Sequence, residues 1–104
     1  MVLSFDPEVH DVIAKNVQEH IEGIPTLLSE IFPQMQKIWK FSDSYNFAYG
    51  WYVGRLECHA QHIFFDNMGR WPEGEELMEI KEIIEIRGKE IRDKISENIP
   101  NVSD

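Results

Sequence analysis

The sequence predicts an all-α protein, four helices packed as an antiparallel up-down bundle, and three observations carry that reading. Four segments repeat apolar residues at the three- and four-residue spacing of one helix face. No segment alternates apolar and polar residues with the period of two that a half-buried strand needs. Each of the four is bounded by residues that start or stop helices for local chemical reasons.

The first helix is expected over about residues 6–22. Asp6 supplies an N-cap carboxylate, and Pro7 fits the first turn, where its missing N–H has no partner to lose. Val9, Val12, Ile13, Val17 and Ile24 gather on one side, Asn16 and His20 fall inside that stripe, and Gly23 marks the end. The second helix, about 25–40, carries Leu27, Leu28, Ile31, Met35, Ile38 and Trp39. Pro33 in its middle removes a backbone donor and crowds the preceding turn, so a kink or break is expected there.

The third helix, about 43–68, is capped by Ser42 or Asp43 and stopped by Gly69, after which Trp71-Pro72 turns the chain. The fourth, about 73–97, has the stripe Leu77, Ile80, Ile84, Ile91 and Ile95, with Pro100 beyond its end. Glu73, Glu75, Glu76 and Glu79 crowd its N-terminal end while Lys89, Arg92 and Lys94 lie later, as the helix dipole favours. Glu85–Lys89 and Glu90–Lys94 have the spacing of favourable pairs. Gly88 falls on the stripe and costs about 1 kcal/mol relative to Ala in a helix interior, so a close contact or a local kink is expected. Arg87 lies on the apolar side, where a buried guanidinium would require Asp66 or Glu57 as partner, or would snorkel at the edge.

The third helix is the most informative segment. At about 100° per residue, Tyr45, Tyr49, Tyr52, Leu56, His59 and Ile63 gather on one side. Phe47, Trp51, Gly54, Cys58, Gln61, Phe65 and Met68 gather on nearly the opposite side, alternating steps of four and three as helix–helix seams do. A surface helix needs one buried stripe. Two opposed stripes mean that the helix is either central to the monomer or shared with a second copy. Gly50 and Gly54, spaced as G-x-x-x-G, would admit a close neighbour. Phe47, Trp51, Gly54, Cys58, Phe65 and Met68 are therefore the expected interface of a homo-oligomer, with a twofold dimer favoured. Aromatic residues lining an apolar pocket are the alternative use of the same cluster.

Bulk properties narrow the rest. The 104 residues fit a single helical domain over 1–104. A net charge of −9 repels phosphate backbones, so no nucleic-acid binding is expected, and a basic protein partner is favoured instead. No apolar run is long enough for a membrane span, and Met1–Asp6 lacks the basic and apolar regions of a secretory leader. One cysteine, Cys58, excludes an internal disulfide, and a cytoplasmic location is expected.

Chemistry-bearing residues are few. His59, His62 and Asp66 run along one edge of the third helix, and His20 sits in the apolar face of the first. Imidazoles and a carboxylate from two helices are the donor set of a transition-metal site in a bundle. The sequence has no Glu-x-x-His and no His-Glu-x-x-His, so the alternative is core-edge histidines with a His62–Asp66 surface pair. Cys58 and His62 lie four apart and could reach each other, but at that spacing inside an aromatic seam the pair reads as packing rather than nucleophilic chemistry. No glycine-rich phosphate cradle and no other cofactor motif is present. The resulting expectation is a non-enzymatic helical protein acting through protein contacts, including with itself. A metal-binding bundle using His20, His59, His62 and Asp66 is the second reading, and an acidic inhibitor or nucleic-acid mimic that captures a basic partner is the third.

Overall fold

The computed structural model describes residues 3–99, so the expected stop at Pro100 lies outside the described residues. The described chain is all-α, with six helices rather than four and no strand among those residues: α1 (Pro7–Glu22), α2 (Ile24–Glu30), α3 (Phe32–Trp39), α4 (Ser44–Met68), α5 (Glu75–Ile86) and α6 (Gly88–Asn98). One extra helix comes from a break beside Pro33, where a kink or break is expected, and the other from a break at Arg87 within the segment read as the fourth helix.

In α1, the Asp6 carboxylate accepts from Glu8 N at 2.8 Å and Pro7 occupies the first turn. The buried stripe is Val9, Ile13, Val17 and Ile21, stepping by four. Val12, expected on that stripe, is 47% exposed. It stands about 100° from Ile13, and the four-residue step carries the core away from it.

Pro33 breaks the second segment outright. It lacks the N–H that would continue the ladder, so Ile31 ends α2, and Gln34 and Met35 begin new bonds to the Ile31 carbonyl at 3.0 and 3.2 Å. The break turns α3 about its axis. Phe32 and Met35 face inward, and the expected core residues Ile31, Ile38 and Trp39 stand 49%, 70% and 55% exposed. Lys40, at φ 52°, closes α3 in the left-handed region, its N–H bonded to Gln36 O at 2.8 Å.

The second break falls at Arg87, whose N–H returns to Ile84 O at 3.0 Å before Gly88 opens α6. Gly88 is buried, and a Cβ there would meet Arg92 Nη1 at 3.2 Å, so the missing side chain relieves local crowding. The break reroutes the charges. Arg87 pairs with Glu90 at 2.7 Å and also donates to Gln18, instead of reaching Asp66 or Glu57. Lys89 pairs with Asp93 at 2.8 Å rather than with Glu85, and Glu90 serves Arg87 rather than Lys94. Glu57 is held by Lys81 at 2.7 Å.

Around these elements α1 packs against α4 and α5, α2 against α6 and α3, and α4 against α5 and α6. One cluster of buried side chains drawn from all six helices forms the core, with Ile13, Leu28, Phe64, Ile91 and Ile95 at 0% exposure. Burying each side chain of this size contributes roughly 1.5–3 kcal/mol. The assembly is elongated, 46 × 23 × 20 Å. No helix is long and apolar enough to cross a membrane among the described residues.

Candidate functional site

The long helix α4 is set at both ends by local chemistry. Asp43 accepts from Asn46 N at 3.0 Å, and Gly69, at φ 75°, returns its N–H to Phe65 O at 2.8 Å. A left-handed C′ residue is where glycine fits without strain. Arg70 then clamps Glu76 through two bonds of 2.8 and 2.7 Å, which closes the turn toward α5 and lays Trp71 on Phe65 at 4.5 Å.

One face of α4 belongs to the core: Ala48, Tyr52, Leu56, Ala60 and Phe64, stepping by four. The tyrosine-rich seam lies on this side, with Tyr52 and Leu56 buried, Tyr45, Tyr49 and Ile63 half-buried and His59 exposed. The opposite seam points outward. Phe47 is half-buried, stacked on Phe41 at 3.9 Å with Trp39 at 5.9 Å. Trp51 is half-buried, edge-on to Tyr52, with the Arg55 guanidinium 5.0 Å from its ring centroid. Phe65 and Met68 are 39% and 38% exposed, and Trp71 extends their apolar surface at 49%. Cys58 is a free, exposed thiol. At Gly50 and Gly54, a Cβ built on the backbone meets no atom within 4 Å. From Phe47 to Met68 this strip runs about 30 Å along the helix at 1.5 Å per residue.

Of the four expected metal ligands, the structure brings two together. The His20 and His59 rings meet edge-on at 4.7 Å. His62 turns elsewhere, its Nδ1–H donating to Cys58 O at 2.8 Å and its ring edge-on to Trp71 at 5.3 Å. Asp66 is exposed and bonds neither histidine among the described residues. No group of three or more His, Cys, Asp or Glu side chains there is arranged to hold a metal ion. The His62–Asp66 surface pair does not form either, and His62 Nδ1–H donates instead to the carbonyl one turn back. With its Nδ1 proton committed to that carbonyl, His62 offers no base to the Cys58 thiol 3.8 Å away. Desolvation first, then the charges of His20, Arg55 and His62, lower the pKa of His59.

Sequence reasoning missed one buried polar pair. Glu79, read as part of the acidic start of the fourth helix, is 4% exposed. It accepts from His10 Nδ1 at 2.8 Å and from the Ser4 backbone N–H, and so ties the N-terminal segment and α1 to α5. Its place beside Ile80 and four residues before Ile83 was the available signal. Comparison of the chain with protein families, with curated proteins and with solved structures finds no match.

Proposed function

We propose that the protein acts through protein–protein contact, without catalysis, and that the outward seam of α4 receives a second copy of the same chain. The observation that carries this reading is the open space at Gly50 and Gly54. A glycine in a helix interior costs about 1 kcal/mol relative to alanine. Neither of these glycines makes a turn, takes a positive φ or admits a neighbour within the chain, so nothing in the monomer offsets that cost. A helix from another molecule, crossing at the glycines with Phe47, Trp51, Phe65 and Met68 on either side, would offset it.

Charge selects a copy of this chain as occupant. Of the 25 residues of α4, three are charged, Arg55, Glu57 and Asp66, and only the Arg55 guanidinium, lying over Trp51, reaches the seam. In α5 and α6 roughly every second residue is charged. For two molecules of net charge −9, the α4 seam is the face along which approach is least opposed. A twofold pair then buries the same strip on both chains.

Analytical ultracentrifugation tests the reading at about 100 μM, where a contact worth roughly −5.5 kcal/mol is near half-saturation. The wild type is expected to sediment as a dimer. Gly54→Leu, which has room in the monomer, and Phe65→Glu are expected to sediment as monomers with unchanged helicity. A monomeric wild type at that concentration refutes the proposal, as do dimeric variants.

A further inference from the structure

A second feature stands apart from the α4 seam. Between α1, α2 and α4 lies a cleft of about 230 Å³ lined by Glu19, His20, Gly23, Leu27, Tyr52 and Arg55. Three of its polar side chains form no hydrogen bond or ion pair among the described residues, and one of them is buried. Tyr52 is 2% exposed, and its hydroxyl is the one buried side-chain polar atom among the described residues without a hydrogen bond. Arg55 is half-buried over Trp51 and forms no ion pair among those residues, on a chain with 19 acidic side chains. Glu19, across the same cleft, likewise forms none there. Buried polar groups in folded proteins are nearly always satisfied, so an orphaned hydroxyl on a residue that lines a cleft points to a partner from outside the chain.

The donors and acceptors are sorted by wall. On the α4 side, the Arg55 guanidinium is a permanent cation, and Tyr52 is a hydroxyl that stays protonated, its pKa pushed up to about 12 by burial despite the opposing charge of Arg55. Both donate, and a guanidinium with a hydroxyl beside it suits a carboxylate. On the α1 side, Glu19 is an acceptor. In its neutral form His20 is one as well, because its Nδ1, bonded to the Asn16 carbonyl at 2.9 Å, carries the one proton and leaves Nε2 with the lone pair. Leu27 supplies an apolar surface between them. A lone anion would be repelled by Glu19, and a lone cation by Arg55.

We propose that this cleft binds a small zwitterionic amino-carboxylate of amino-acid size, its carboxylate on Arg55 and Tyr52 and its ammonium on Glu19 and His20. The volume is below the range of drug-sized pockets, which limits the ligand to a small molecule.

The test titrates the full chain with glycine, L-alanine and L-leucine, and in parallel with acetate and methylammonium, each to about 10 mM, a range that captures weak affinities. Binding is read by NMR at the Trp51 indole N–H, which Arg55 covers, and at the Leu27 methyls. At least one amino acid is expected to saturate, with acetate and methylammonium weaker by about tenfold or more, the value of one charge-assisted hydrogen bond. Glu19→Gln and Arg55→Gln should each weaken it by about tenfold for the same reason. Glu19 is on the surface and its replacement keeps the fold, so that arm remains decisive if Arg55→Gln is unstable. Tyr52→Phe should weaken binding while raising the melting temperature of the ligand-free protein. The proposal is overturned if no amino acid perturbs these resonances, if acetate binds as tightly as the best amino acid, or if Glu19→Gln leaves binding unchanged or tightens it.

Discussion

Replacing Gly50 and Gly54 with alanine isolates the argument on which the proposed contact rests. Both positions are interior to α4, neither has a positive φ, and an added Cβ meets open space at each. Alanine should therefore recover the full propensity difference, about 1 kcal/mol per site, with no steric charge against it. A 104-residue chain unfolds with roughly 2.1 cal/mol/K of entropy per residue, about 0.22 kcal/mol/K in all. Each substitution then raises the melting temperature by about 4–5 °C, and the pair by about 9 °C, since two outward methyl groups do not couple strongly. Circular dichroism melts at about 2 μM report the monomer, because association at that concentration contributes little to stability. A melting temperature that falls on either substitution refutes the reasoning. It would mean that the monomer itself needs a bare backbone there, and the case for a second helix would go with it.

Two further perturbations test neighbouring parts of the same region. His59 titrates below its ordinary value of 6.5 in the fold, so between those values the unfolded chain binds more protons and stability rises with pH. That contribution is complete above 6.5 and drains as pH falls toward the folded value, so His59→Gln should lose less stability between pH 7 and 5 in urea titrations. An acid loss equal to that of the wild type would contradict it. Cys58 is free, exposed and central to the outward seam, and helices in contact lie about 8–10 Å apart. A short bis-maleimide should therefore link two chains covalently at concentrations where the dimer forms and fail to do so in Gly54→Leu, as resolved by denaturing electrophoresis. Equal yields in both proteins would place Cys58 away from the contact.

What was legible in the sequence was what local chemistry decides. Asp6, Asp43 and Gly69 act within one turn of their own backbone, and each stands at the helix end where its side chain, or lack of one, places it. The two faces of α4 were legible for the same reason, since helical phase is a property of spacing alone. Which face is core was not. Ala48, Ala60 and Phe64 belong to the buried stripe, and small residues such as the alanines matter only once neighbouring helices close in on them. Pro33 announced a break, but the rotation that exposes Ile38 and Trp39 and buries Phe32 depends on where α3 comes to rest. The break at Arg87 was marked only by Gly88, which the sequence reads as either a close contact or a local kink. Ile80, Ile84, Ile91 and Ile95 keep facing the core across it, so the stripe reads as continuous. The His10–Glu79 pair joins residues 69 apart, and the orphaned Tyr52 hydroxyl is defined by what surrounds it; neither carries a local signature.

The distribution of charge ties these parts together. Ion pairs cluster on and around α5 and α6: Glu76 with Arg70, Glu57 with Lys81, Glu90 with Arg87 and Asp93 with Lys89. Exposed pairs of this kind add little stability. They consume cations, however, and leave α5, with five glutamates against one lysine, as net negative surface, whereas α6 balances three acidic residues with three basic ones. At physiological ionic strength such charges act over about 8 Å, enough to penalise two copies that meet through α5 but not two that meet along the seam. The repulsion need not strengthen the intended contact to make it specific, because it raises the free energy of the competing ones. An apolar strip that size on a neutral protein would accept many neighbours. On this chain the acidic α5 disfavours its own face, and the strip, with Arg55 over Trp51 as its one charge, keeps two bare glycines near its N-terminal end for the proposed second copy.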